Sequence, residues 1–366
     1  MQKKLWAKIL CAAVLTGSCA ALLCSSPTPV RAAEIKYDIE KITSKVGEQN
    51  KPMFNLYFAQ PFGEPLDEND NLAYSRGFSA AIRSTIKESG QYWADMLAPG
   101  SKNTQPVAIR LCTLDDANAS GASFTFDKDF LNEKYRNLSI IETVLQKDFP
   151  AGFVSDGNSF SGEYNLGYMG TPSDPDDIYS AWYVNTKTQV PDAKALTKAD
   201  LAGCSRHELA HGLGIGANYT VAGDDLVTYF NDVIMPYTQH LRDVEGKAAQ
   251  TAMFIVPQRT DIPVGADPNR YFIVGTTDTN QNGQVYFVGS QIDAVREGTL
   301  FLGKPGIPIQ GYESPNGAQL DLHHFQLAHN LMSHEPYCNY SNLMEIELAA
   351  LQDMGYTLDR RNYFGY

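Results

Sequence analysis

The feature that most narrows how this chain can fold is the segment His207-Glu208-Leu209-Ala210-His211. On a helix, two histidines four residues apart stand on one face, one turn from each other. The flanking sequence asks for that helix. Thr197 with Asp200 three residues on has the form of a capping box. Gly212 and Gly214 follow the second histidine, where a left-handed residue ends a helix at little cost. The prediction is a helix from Thr197 to about Leu213.

Two imidazoles at this spacing can bind one zinc ion, each at about 2.0–2.1 Å. Glu208 lies beside them, slightly off their face. A carboxylate there can take a proton from a water that zinc has made acidic, and pass it to a leaving amine. The segment therefore supplies two candidate metal ligands, His207 and His211, and one candidate catalytic base, Glu208, within five residues. A catalytic zinc needs a third protein ligand and an open position. The remaining histidines are His240, His323, His324, His329 and His334, and the last four fall within twelve residues. The third ligand is expected from that cluster.

The first 32 residues are set apart from the fold. Lys3, Lys4 and Lys8 precede an apolar stretch from Ile9 to Cys24, and Val30-Arg31-Ala32 offers short residues to a signal peptidase. A secreted or cell-surface location is the expectation, with no membrane-spanning segment in the mature chain. The formal charge of the 366-residue chain is −13; loss of Lys3, Lys4, Lys8 and Arg31 takes it to −17. Such a charge repels phosphate backbones, so nucleic acid is not expected as a partner. Of six cysteines, Cys112, Cys204 and Cys338 follow the leader, an odd number that leaves one bridge plus a thiol or three buried thiols equally open.

Along the chain, residues 33–70 read as an extended, polar lead-in or a prosegment. Residues 71–366 read as one unit. Phe78, Ile82, Ile86, Trp93 and Leu97 recur at helical spacing, so one long helix is predicted over 75–97, stopped by Pro99-Gly100. Val107–Leu111 and Ser180–Val184 read as strands. A long insert of mixed character runs over 218–322, with a helix at 232–249 and strands at 270–275 and 284–288 joined as a hairpin at Asn282-Gly283. The last helix is placed over 342–354, closed by Gly355.

With these residues in view, the sequence resembles the metzincin clan of zinc peptidases, whose motif is H-E-x-x-H-x-x-G-x-x-H or -D with a later methionine-containing turn. His207, Glu208, His211 and Gly214 match; the last ligand position is Ala217, which cannot bind a metal, and the amide of neighbouring Asn218 is a poor zinc ligand. The leishmanolysin branch meets the same need with a long insert before its third histidine, and 218–322 is similar. Leu331-Met332-Ser333 resembles the Met-turn, and 345–356 the final helix. The C-terminal stretch is similar to metzincin-like passengers of bacterial autotransporters, which run on into a membrane barrel. In that comparison His324 is the aligned histidine and His323 its competitor. The resemblance implies an α+β fold with a twisted mixed, mostly antiparallel sheet that has an edge strand at a cleft. It implies zinc held by His207, His211 and His324, and hydrolysis of protein or peptide substrates. His334 falls where several metzincins carry a substrate-contacting Tyr; a surface role is the more ordinary reading.

Other features have bland readings beside them. Asp278–Gly283 resembles the start of a calcium loop, but position 289 is Gly where a bidentate Glu belongs, and a turn is preferred. Asp174–Asp177 is read as a solvated acidic loop. Cys204, one turn before His207, would close the site as a fourth ligand or serve as a small core residue; the latter is preferred. Asn118, Asn137, Asn218 and Asn339 open glycosylation triplets. A secreted binding protein or adhesin with a structural zinc is the competing expectation to an enzyme.

Overall fold

Apolar residues on both sides of the strand at 52–59 turn the expected polar lead-in into the middle of a sheet. The computed structural model describes residues 36–47, 50–61, 77–114, 124–125, 162–167, 182–183, 199–222, 227–231, 234–275, 285–297, 304–313, 319–327, 330–333 and 343–358. Strand β1 (Tyr37–Thr43) pairs antiparallel with β2 (Pro52–Ala59). In β2, Met53, Phe54, Leu56, Phe58 and Ala59 are all buried, as in a strand covered on both faces.

Helix α1 (Ala80–Leu97) follows. It starts later than the periodicity suggested, because Ser79 caps it: its hydroxyl accepts the N–H of Ile82 at 3.3 Å. Phe78 stands before the cap and packs edge-on against Phe58. Ile82, Ile86, Trp93 and Leu97 face the core. The helix carries the chain across to β3 (Val107–Leu114), which runs parallel to β2. Strands β4 (Phe124–Thr125) and β5 (Gly162–Gly167) complete a five-stranded sheet of order β1-β2-β3-β5-β4, with β3 and β5 parallel and β4 antiparallel at the edge. The sheet is evenly mixed rather than mostly antiparallel: the α1 crossover returns β3 parallel to β2, and β5 runs parallel to β3.

Strands β6 (Trp182–Tyr183) and β7 (Ala199–Asp200) form a short parallel pair, and helix α2 (Leu201–Gly212) carries the two-histidine segment. Asp200 lies in β7, paired with Tyr183, and the helix starts at Leu201 rather than at Thr197 as expected. Thr197 lies outside the described residues. Trp93 donates its indole N–H to the Arg206 carbonyl at 3.0 Å, and the Ser89 hydroxyl reaches Ala202 at 3.1 Å. These bonds lock α1 against α2.

The stretch after α2 builds two four-stranded sheets. In chain order its elements are β8 (Tyr219–Ala222), β9 (Val227–Phe230), α3 (Pro236–Gln239), β10 (Leu241–Arg242), β11 (Phe254–Val256), β12 (Tyr271–Ile273), β13 (Tyr286–Phe287), α4 (Ser290–Arg296), β14 (Ile307–Glu313) and β15 (Gln319–Phe325). The sheets are ordered β12-β11-β9-β8 and β10-β13-β14-β15. Helix α5 (Glu345–Asp353) closes the described chain, with Gly355 at φ 105°. The helix expected over 232–249 is only the single turn α3. Asp243 there turns its carboxylate onto the N–H groups of Glu245 and Lys247, which draws the backbone into a turn instead. The expected 270–275/284–288 hairpin is also overturned. β12 pairs parallel with β11, whereas β13 pairs with β10 and β14 in the other sheet. Residues 278–283, with the calcium-loop reading, lie outside the described residues, as do 174–177, Asn118, Asn137, Cys338 and Asn339. Among the described residues no helix is long and apolar enough to cross a membrane.

One continuous apolar core joins the three sheets. The C-terminal region is tied back to the two-histidine helix by Tyr356, whose hydroxyl donates to the Leu213 carbonyl at 2.8 Å.

Candidate metal centre

Helix α2 delivers His207 and His211 from adjacent turns, both almost fully buried. Strand β15 delivers His324 to meet them. One ring nitrogen from each of the three lies within 4.8 Å of the others, close enough to bind a metal ion. The Nε2 atom of His207 is 2.9 Å from that of His211 and 3.2 Å from that of His324. Tetrahedral zinc with bonds of about 2.0–2.1 Å sets its ligand atoms about 3.3 Å apart, so these two separations lie within a few tenths of an ångström of what zinc requires.

The opposite nitrogen of each ring fixes its tautomer. His207 Nδ1 lies 2.6 Å from the Leu331 carbonyl, and His211 Nδ1 lies 2.7 Å from the Ile215 carbonyl. A carbonyl only accepts, so both Nδ1 atoms carry hydrogen. His324 Nδ1 lies 2.6 Å from Asp321 Oδ2, and the carboxylate accepts there in the same way. Three Nε2 lone pairs are thereby turned on one point. A cation satisfies that arrangement, and outer partners of this kind hold metal-binding imidazoles in place. Burial and the neighbouring His324 push the His211 imidazole down to about 3, so it stays neutral and able to ligate near pH 7.

An ideal strand would send neighbouring residues to opposite faces, yet His323 and His324 both come close to α2. The pairing of β14 with β15 explains this. Ile309 faces Phe325 and Gly311 faces Asp321, so a step of two residues on β14 spans four on β15. Both histidines stand in this bulge, a device that re-aims side chains. Gly311, at φ 77°, permits it on the partner strand. His323 is not a member of the ligand cluster. Its ring sits 5.3 Å from Tyr219 and 6.5 Å from His211, packed against Gly216, where a Cβ would come within 2.9 Å of it.

Glu208 is 3% exposed, next to His207 on the same helix. Leu331-Met332-Ser333 is a tight turn against His207, in which the Ser333 N–H meets the Asn330 carbonyl and Met332 is fully buried. Cys204 is buried in the apolar core and does not join the three histidines. Ala217 is buried, and Asn218 spends its side-chain oxygen on the Met235 N–H and the Thr238 hydroxyl. His240 is engaged by the Val288 carbonyl and the Phe287 ring. His329 and His334 lie outside the described residues.

Sequence reasoning missed Asp321. An Asp three residues before a candidate ligand is a readable signal, but on a regular strand that spacing places the two on opposite faces; only the bulge makes it meaningful. Compared with family models, with curated proteins and with solved structures, the chain matches none of them.

Proposed function

We propose that this chain is a zinc-dependent endopeptidase of metzincin-like architecture, secreted or held at a cell surface, that hydrolyses peptide bonds in protein or peptide substrates. The observation that carries the reading is the convergence of three Nδ1–H imidazoles, their Nε2 atoms aimed at one point, beside a buried Glu208 on the same helix. Three imidazoles with one further position is the ligand pattern of catalytic rather than structural zinc, which takes four protein ligands. Among the described residues the metal-competent group numbers three, and Cys204 is not part of it.

Zinc held by His207, His211 and His324 would supply Lewis acidity that makes a bound water a nucleophile near neutral pH. Glu208 takes the proton of the attacking water and gives it to the leaving nitrogen, a transfer worth typically 10²–10⁴ in rate. Asp321 stabilises the positive character that develops on His324. Strand β4 is the outer edge of the five-stranded sheet and lies against α2. An extended substrate adds to that edge by main-chain hydrogen bonds, bringing its carbonyl to the centre.

Glu208→Gln separates the enzyme from a binding protein with a structural zinc. The variant is expected to retain one zinc per chain by elemental analysis while cleavage of an unfolded protein such as casein falls at least about a hundredfold. Retained proteolysis in Glu208→Gln would overturn the mechanism, and zinc-loaded wild-type protein without any peptidase activity would favour the binding-protein reading.

A further inference from the structure

Glu347, on the first turn of α5, is fully buried, yet its carboxylate is spent on backbone of two separate segments. Oε1 accepts the Met332 N–H at 2.7 Å; Oε2 accepts the Met344 N–H at 2.6 Å and the Leu331 N–H at 3.4 Å. The Met344 bond is an ordinary helix-start contact. The bonds to Leu331 and Met332 are not, because they cross to the turn that carries the acceptor for His207.

That turn is held at every point that bears on the metal centre. The Leu331 carbonyl fixes the His207 ring at Nδ1. The Met332 carbonyl accepts the N–H of Phe325 at 2.7 Å, the residue directly after His324. The Leu331 and Met332 N–H groups are taken by Glu347. One two-residue turn thus links the helix that supplies His207, the strand that supplies His324, and α5. Glu347 holds both N–H groups of the turn through its side chain.

From this geometry we infer that Glu347 is a positioning residue for the metal centre: it sets the Leu331 carbonyl and, through it, the orientation of the His207 imidazole. The inference rests on the metal-site reading above but predicts an effect in metal-free protein as well. A buried carboxylate costs desolvation, and an apolar residue would pack α5 at no such cost. The acid at this place is explained by the two N–H groups of the turn, which its oxygens accept and an apolar side chain would leave buried and unsatisfied.

The test uses Co²⁺ as a spectroscopic probe on the full chain. Wild type is expected to bind Co²⁺ with the visible bands of a tetrahedral, imidazole-rich site. Glu347→Gln, which keeps shape but swaps one acceptor oxygen for an NH₂ donor, is expected to bind at least about tenfold more weakly with shifted bands, as outer-sphere changes do. In metal-free protein, the His207 Nδ1–H resonance should broaden or exchange faster in Glu347→Gln. Ile86→Ala, a destabilising change in α1, should leave spectrum, affinity and resonance as in wild type. If Glu347→Gln does not fold, Glu347→Asp, one methylene shorter, carries the same test. Wild-type binding with unchanged affinity, bands and His207 resonance in the Glu347 variant overturns the inference and leaves the metal centre standing. Failure of wild type to bind Co²⁺ sinks the metal reading, and the His207 resonance then decides on the brace by itself.

Discussion

Helix α2 and strand β15 bring candidate ligands together by opposite means. His207 and His211 are set by the pitch of one helix: any helix over 201–212 puts them on one face. His324 arrives from a strand more than a hundred residues later. Its position depends on a bulge, on Asp321 and on a turn braced from α5. A locally encoded pair is robust to distant change, whereas a tertiary ligand carries the sensitivity of every contact that aims it.

The largest expected effect removes the tertiary ligand. A structural zinc site contributes ~10–16 kcal/mol, so losing one of three imidazoles is expected to cost about 3 kcal/mol, roughly a hundredfold in metal affinity. His324→Ala should show that loss in a chelator competition. His323→Ala, one residue away in the same bulge, should change affinity less than twofold. Equal losses in the two variants would mean that the bulge does not discriminate between neighbours, and the contrast between helix and strand delivery would lose its basis.

Protons probe the two regions with opposite signs in chelated protein. His211 sits at about 3 when folded against an ordinary 6.5, so between those values the unfolded chain binds the extra proton and stability rises with pH. Glu347 sits at about 8 against an ordinary 4.5, raised by burial against the pull of its three N–H partners, so between those values the folded chain binds the extra proton and stability falls with pH. Each slope is at most about 1.4 kcal/mol per pH unit. For these two groups, stability should climb from pH 3 to 4.5, flatten to 6.5 where the slopes cancel, and decline towards 8. Urea melts across that range check the shape. Glu347→Gln should remove the decline above pH 6.5, and a decline that persists in the variant would assign it to other groups.

The same division explains what could be read before folding. The helix at 80–97, the histidine-bearing helix and the final helix follow from short-range periodicity, and the shared face of His207 and His211 follows with them. The choice of His324 over His323 came from likeness to other proteins; periodicity on a strand could not make it, because the bulge spans residues whose pairing is set by Gly311 on another strand. Met53, Phe54 and Phe58 show the same limit from the other side. They are apolar enough to mark a buried strand, but a sheet position between β1 and β3 is a property of pairing partners, one of which, β3, lies more than fifty residues away. The failed helix at 232–249 turned on one side chain, Asp243, that prefers its neighbours' N–H groups to a helical backbone.

The smallest expected effect concerns Cys204, which shares helix α2 with both locally encoded ligands and lies one turn before His207. If helical spacing alone decided membership of the metal centre, this thiol would be a natural fourth ligand, and thiolate is a strong one for zinc. It is instead buried with Leu201 and Leu209 in the apolar core. Cys204→Ala removes one sulfur atom from close packing and should cost about 1 kcal/mol of stability in urea melts. Co²⁺ affinity should stay within twofold of wild type, and the charge-transfer absorption of a cobalt–thiolate bond should be lacking from both proteins. A wild-type thiolate band that disappears in Cys204→Ala would make the site four-coordinate through protein alone, leave Glu208 no water to deprotonate, and convert the proposed enzyme into a metal-stapled binding protein.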